Sequence, residues 1–156
     1  MAKKIEEYIT YKIADYLADN KWEIISCNPP GSHGGICLLD KDRSKGGIIP
    51  DIIAKKGNYV LIIESKPNFV TGITEDILKL EEINVNHITN LAERVGFDSS
   101  WLEKWEDYIQ KAVALKQIEQ AEIQLVPKSF LIFIANETNE KIDIIIGDLA
   151  NIKKLV

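Results

Sequence analysis

Three charged residues stand where the sequence is otherwise apolar. Asp51 lies in Ile48-Ile49-Pro50-Asp51-Ile52-Ile53, and Glu64 and Lys66 close the run Leu61-Ile62-Ile63-Glu64-Ser65-Lys66. On a strand, residues two apart leave the same face, so Glu64 and Lys66 point the same way. The turn Lys55-Lys56-Gly57-Asn58 between the two runs predicts a hairpin, which sets Asp51 in the paired strand. Charges at the ends of apolar strands cost free energy unless they are paired, solvated or bound to metal, and a sequence that keeps such a conflict usually keeps it for function. Two carboxylates at one end of a hairpin are hard oxygen ligands that can hold Mg²⁺ and leave positions for water and phosphate. Lys66 adds an ammonium that can hold an attacking water or stabilise charge developing on phosphorus. The reaction this set suits is hydrolysis of a phosphodiester, a poor electrophile surrounded by negative charge.

A further acid, Glu6, falls on a helix predicted for residues 3–19. Ile5, Ile9, Ile13, Tyr16 and Leu17 occupy an arc of about 120° on a helical wheel; Glu6 lies inside that arc and Glu7 well outside it. Other candidates are weaker. Cys27, His33 and Cys37 have irregular spacing for zinc and no evident fourth ligand. Ser65 has no partner base and reads as a spacer on the opposite face of its strand. His87 sits in a predicted helix with no catalytic role, and Gly31 to Gly35 lacks the phosphate-loop pattern.

The elements that must position these residues follow from periodicity and breakers. After the first helix, Trp22 to Ser26 predicts a short strand, and Asn28 to Gly35 a loop rich in proline and glycine. Ile48 to Ala54 and Tyr59 to Glu64 are the hairpin. Thr74, Glu75 and Asp76 read as a helix start, with the helix running to about Val95 and Gly96 as its stop. Ser100-Trp101-Leu102-Glu103 has capping-box spacing and predicts a helix to about Gln120, its apolar stripe being Trp101, Trp105, Tyr108, Ala112 and Leu115. Phe130 to Ala135 and Ile142 to Ile146 read as strands buried on both faces, followed by a short helix from Asp148. The expected fold class is α/β: a central mixed sheet flanked by helices.

Pro50-Asp51 and Glu64-Ser65-Lys66, in that order and across a short hairpin, resemble the motif of the PD-(D/E)xK nuclease superfamily, which includes most type II restriction enzymes and the archaeal Holliday-junction resolvases. The resemblance implies a restriction-endonuclease-like αβββαβ core, with Asp51 and Glu64 as metal ligands and Lys66 as a catalytic residue. It covers nearly the whole chain, with one extra helix before the fourth strand. It also implies that Glu6 matches the accessory glutamate that some members send from the first helix to the metal. The cofactor expected is Mg²⁺, with Mn²⁺ as a substitute.

At 156 residues, 46% of them hydrophobic, the chain predicts one domain with one continuous core. No stretch approaches the roughly 18 consecutive apolar residues of a membrane span, and the two cysteines are too few for a disulfide framework, so reduced thiols and a cytoplasmic location are expected. The net charge of -5 argues against a protein that coats nucleic acid indiscriminately. It leaves room for a nuclease, whose metal-binding acids count as negative in the sum. The segment from Gly31 to Lys45 is expected to contact DNA: Ser32 and His33 can bond base edges, and Lys41, Arg43 and Lys45 can neutralise phosphates. A homodimer would present two sites to a symmetric duplex. The leading expectation is thus a Mg²⁺-dependent endodeoxyribonuclease of the type II restriction kind. The rivals are a Holliday-junction resolvase or repair nuclease, and a non-catalytic nucleic-acid-binding or assembly subunit. A methyltransferase partner is not inferable.

Overall fold

The computed structural model describes residues 2–28, 38–39, 47–69, 71–136 and 141–153. Helix α1 (Ala2–Asp19) leads into β1 (Glu23–Cys27); β2 (Leu38–Leu39) and β3 (Gly47–Ile48) form a separate two-stranded ladder. The hairpin is β4 (Ile52–Lys56) and β5 (Tyr59–Ser65), turning at Gly57, whose φ of 61° suits a residue without a Cβ. Next come α2 (Thr71–Glu81), α3 (Val85–Val95), two short helices α4 (Ser99–Glu103) and α5 (Trp105–Tyr108), β6 (Ile109–Leu115), a one-turn α6 (Gln120–Ile123), β7 (Leu131–Ala135) and β8 (Ile142–Ile146).

Six strands make one mixed sheet in the order β1-β4-β5-β6-β7-β8. The pairs β5–β6 and β6–β7 are parallel and the others antiparallel. Each face carries its own core. Ile52, Ala54, Leu61, Ile63, Ala112, Ala114, Leu131 and Phe133 pack with Ile9, Ile13 and Leu17 of α1. The alternate residues Ile53, Val60, Ile62, Val113, Leu115 and Ile132 pack with α2 and α3 through Ile73, Ile77, Leu80, Ile88 and Leu91. The α/β class with helices on a mixed sheet is as expected. No helix among the described residues is long and apolar enough to cross a membrane.

Several expected boundaries are corrected. The run Ile48 to Ala54 is interrupted: Pro50 cannot donate to a ladder, and Asp51 is a bend before β4 rather than a mid-strand residue. The helix expected to start at Thr74 starts at Thr71 and breaks near residue 84. There the Asn84 side chain caps α3 by accepting the Asn86 N–H at 2.9 Å, while His87 Nδ1 accepts the Asn84 N–H at 3.1 Å. His87 is therefore a capping residue. Gly96 ends α3 with φ 88°, as its position predicts.

The largest correction is at residues 100–120. The Asp98 carboxylate, not Ser100, caps the start by accepting the Trp101 N–H at 2.9 Å, and the helical part ends at Tyr108. The stripe Trp101, Trp105, Tyr108, Ala112, Leu115 fits helical spacing, yet Ile109, Val113 and Leu115 also alternate with Ala112 and Ala114. The slot between β5 and β7 selects the second pattern, a tertiary context that overrides local propensity. β8 is an edge strand and only partly covered, so the double burial expected of it holds for β7 alone. Residues 148–153 form no helix, because Gln110 Oε1 accepts the N–H groups of Asn151 and Ile152 at 2.9 and 3.1 Å and holds that segment against β6.

Ala112 and Ala114, both 0% exposed, let α1 lie close on the sheet. Replacing Ala114 by Leu should lower unfolding free energy by about 1–3 kcal/mol, because a fully packed site has no room for the added atoms. Urea denaturation reads this, and an unchanged midpoint would mean that α1 does not seat on Ala114.

Candidate functional site

The candidate site lies at the end of β5, where the sheet closes against the N-terminal part of α1 on one face and α2 on the other. Backbone bonds fix its floor: the Lys66 N–H donates to the Ala114 carbonyl at 2.9 Å and the Lys116 N–H to the Pro67 carbonyl at 2.9 Å. The parallel ladder thus continues past Ser65 and anchors the residue that carries the ammonium.

Asp51 enters from the bend before β4. Its backbone carbonyl accepts the Asn28 N–H at 2.7 Å, and its side-chain Oδ2 accepts the Ser65 N–H at 2.7 Å. β4 stops pairing at Ile52↔Ile63, so the Asp51 carboxylate takes up a β5 amide where a ladder carbonyl would have stood. Beside it stands the Glu64 carboxyl, close enough that each acid shifts the other's ionisation. Lys66 Nζ lies 3.4 Å from Glu6 Oε1 and 3.7 Å from Asp76 Oδ2.

The structure therefore brings Asp51, Glu64, Lys66 and Glu6 near one another. It adds Asp76, which the sequence reading treated only as a first-turn helix residue. With α2 starting at Thr71, Asp76 falls in the inward stripe Ile73, Asp76, Ile77, Leu80, the same signature that singled out Glu6. Ser65 is fully buried on the α1 face and its Oγ has no hydrogen-bond partner among the described residues, in keeping with a spacer rather than a nucleophile. Ser32, His33, Lys41, Arg43 and Lys45 lie outside the described residues, as does Cys37; Cys27 is a free thiol.

Among the described residues, negative charge exceeds positive here. Burial pushes the Asp51 carboxyl up to about 6; the Ser65 N–H opposes the shift, and Glu6 and Asp76 add to it. Burial and then the Asp51 charge raise Glu64 well above its ordinary value, so of the two carboxyls Glu64 is the harder to ionise. Burial raises Glu6 and Asp76 as well, against the pull of Lys66. Burial alone would lower Lys66, but Asp76 and Glu6 outweigh it and the ammonium stays charged.

Among the described residues no three His, Cys, Asp or Glu side chains form a group that could hold a metal ion, so Asp51, Glu64 and Glu6 do not make a closed cage. Mg²⁺, however, is usually held by one or two carboxylates, with water and substrate phosphate completing the shell. Asp51 and Glu64 fit that mode. So do the crowding of acids at raised pKa and the buried Asp76 Oδ2 without a hydrogen-bond partner.

Comparison with known proteins gives no relative. No family model, curated protein or solved structure matches the chain. Functional inference therefore rests on the site itself.

The raised acids set a sign for stability against pH. A carboxyl at 3.8 when unfolded and about 6 when folded binds more protons in the native state across that window, so its contribution falls as pH rises from about 4 to 6. For Asp51 the loss is on the order of 2–3 kcal/mol at neutral pH. Asp51→Asn keeps an oxygen for the Ser65 N–H and removes the charge. In EDTA it should melt above wild type at pH 7, with the gap closing towards pH 4. A gap that stays constant with pH, or a variant less stable at pH 7, would contradict the burial of these acids together.

Proposed function

We propose that this chain is a Mg²⁺-dependent endonuclease that hydrolyses DNA phosphodiesters, of the PD-(D/E)xK, restriction-enzyme-like kind, and that it acts as a homodimer. The observation that carries the reading is the placement of the Asp51 and Glu64 carboxyls side by side at the end of the β4–β5 hairpin, beside the Lys66 ammonium, amid more acid than the cations of the described residues neutralise. Topology supports it. Taking α1, β1, β4, β5, α2 with α3, and β6 in order gives an αβββαβ succession with the last strand parallel to the third.

Asp51 and Glu64 would hold the metal ion, which when bound supplies positive charge for the phosphate oxygens and makes water more acidic. The Ser65 amide fixes Asp51 in one orientation, so the ligand is positioned before metal arrives. Glu64 must give up its proton for both carboxylates to act as ligands. Lys66 then donates hydrogen bonds to the attacking water or to the charge developing on the phosphate. Because the Ser65 hydroxyl is buried on the far face, water is the nucleophile and no covalent intermediate forms.

Incubation with plasmid, branched DNA and RNA, each with Mg²⁺ and with EDTA, tests the reading. Metal-dependent cutting of plasmid is expected. Cutting of branched DNA alone would move the assignment to a junction resolvase, and binding of DNA with no cleavage of any substrate would favour a non-catalytic subunit. Glu64→Gln and Asp51→Asn should each reduce cleavage by roughly a thousandfold or more and weaken metal binding. Lys66→Ala should lose roughly a hundredfold or more in rate while keeping metal affinity. Full activity in any of the three would remove that residue from the mechanism.

The segment from Gly31 to Lys45, which joins β1 to the hairpin in sequence, is the proposed DNA contact. Replacing Lys41, Arg43 and Lys45 together by Ala should weaken DNA binding and flatten its dependence on salt, each lost phosphate contact lowering the slope by about one. The same slope in variant and wild type would take the segment out of the interface.

A further inference from the structure

Asp76 has no part in the motif that identifies Asp51, Glu64 and Lys66, and its position is hard to explain by packing. Ile73, Ile77 and Leu80, its neighbours on the inward stripe of α2, are all buried in the core beneath the sheet. An acid in that stripe is costly unless something answers its charge. Among the described residues its Oδ2 is buried without a hydrogen-bond partner, and its ion pair is with Lys66, at 3.7 Å. Lys79, one turn along the same helix, is exposed and acts on it only through the electrostatic field.

Lys66 needs such a partner. It lies one residue beyond the end of β5, and its stem has four flexible carbons, so the backbone fixes where the side chain starts but not where the ammonium ends. Glu6 reaches it from α1, which packs on one face of the sheet; Asp76 reaches it from α2, which packs on the other. One anion alone would draw the ammonium towards its own face. Two from opposite faces hold it over the strand end, beside Asp51 and Glu64.

We propose that Asp76 is a positioning residue: with Glu6 it clamps the Lys66 ammonium between the two helix layers, in line with the carboxylates at the hairpin end. The inference rests on the nuclease reading for its purpose, though not for its geometry. Glu6 is the nearer of the two at 3.4 Å, with Asp76 at 3.7 Å, and both hold the ammonium charged. Were Asp51 and Glu64 to hold a divalent cation that drew Glu6 away, Asp76 would be the acid left to keep Lys66 in place.

The test uses Asp76→Asn and Asp76→Glu in the full chain. With a DNA duplex as substrate, Asp76→Asn should lower kcat by roughly ten- to a hundredfold and leave KM and the Mg²⁺ concentration for half-maximal rate within about twofold. Asp76→Glu should recover part of the loss. In the Lys66→Ala background, Asp76→Asn should add nothing, because its effect runs through the ammonium. Independently of activity, the NMR order parameter of the Lys66 ammonium in the metal-free protein should drop towards that of an exposed lysine in Asp76→Asn. An unchanged kcat, a further loss in the Lys66→Ala background, or a Lys66 ammonium that stays as ordered in Asp76→Asn overturns the proposal. Should Asp76→Asn fail to fold, Asp76→Glu decides by the same readouts: a partly lowered kcat together with a partly lowered ammonium order supports the clamp, and any other combination rejects it. A wild type that cuts no nucleic acid defeats the nuclease reading, while the NMR comparison still decides whether Asp76 holds Lys66.

Discussion

At the end of β5, four acids converge on one ammonium: Glu6, Asp51, Glu64 and Asp76 around Lys66. With every group ionised the balance is three negative charges, held in surroundings that are largely withdrawn from water. Buried charge without a counter-charge relaxes by taking up protons, and the raised Asp51 and Glu64 show that relaxation. The protein thus keeps at this point an arrangement that its own folding disfavours. Such concentrations of strain and charge are typical of sites whose missing positive charge is supplied by a ligand.

Much of the surrounding architecture serves to hold that arrangement. The bend at Asp51, directly before β4, leaves the pairing with β5 to begin at Ile52 and frees the Ser65 amide, which the Asp51 carboxylate then occupies. Small residues on β6 let α1 approach, so that Glu6 comes within reach of Lys66 from one face. On the other face α2 packs through three apolar residues and brings Asp76 down with them. The parallel pairing of β5 with β6, extended by the Lys66 and Lys116 amides, keeps the strand end from fraying at the candidate site.

The sequence made the hairpin and its three charged residues legible because alternation, a glycine turn and apolar context all agree there. Glu6 was legible as an acid within an apolar helical arc. Asp76 was not, because the helix start was placed at Thr74, three residues late, which turned an inward acid into a capping one. β6 was misread for a different reason. Its alanines and the aromatic spacing before it satisfy the helical period, and only the vacant slot between two parallel strands distinguishes the outcomes. The Gln110 side chain likewise determines the C-terminal segment through bonds about forty residues distant in sequence, which no local pattern encodes.

The most direct test of the account is calorimetric titration of the metal-free protein with Mn²⁺ at pH 6 in two buffers of different ionisation enthalpy. The account predicts binding accompanied by proton release, since Asp51 and Glu64 must be ionised to act as ligands, with both binding and release greatly reduced in Glu64→Gln. Absence of binding, or binding with no proton release and no change in Glu64→Gln, would contradict it.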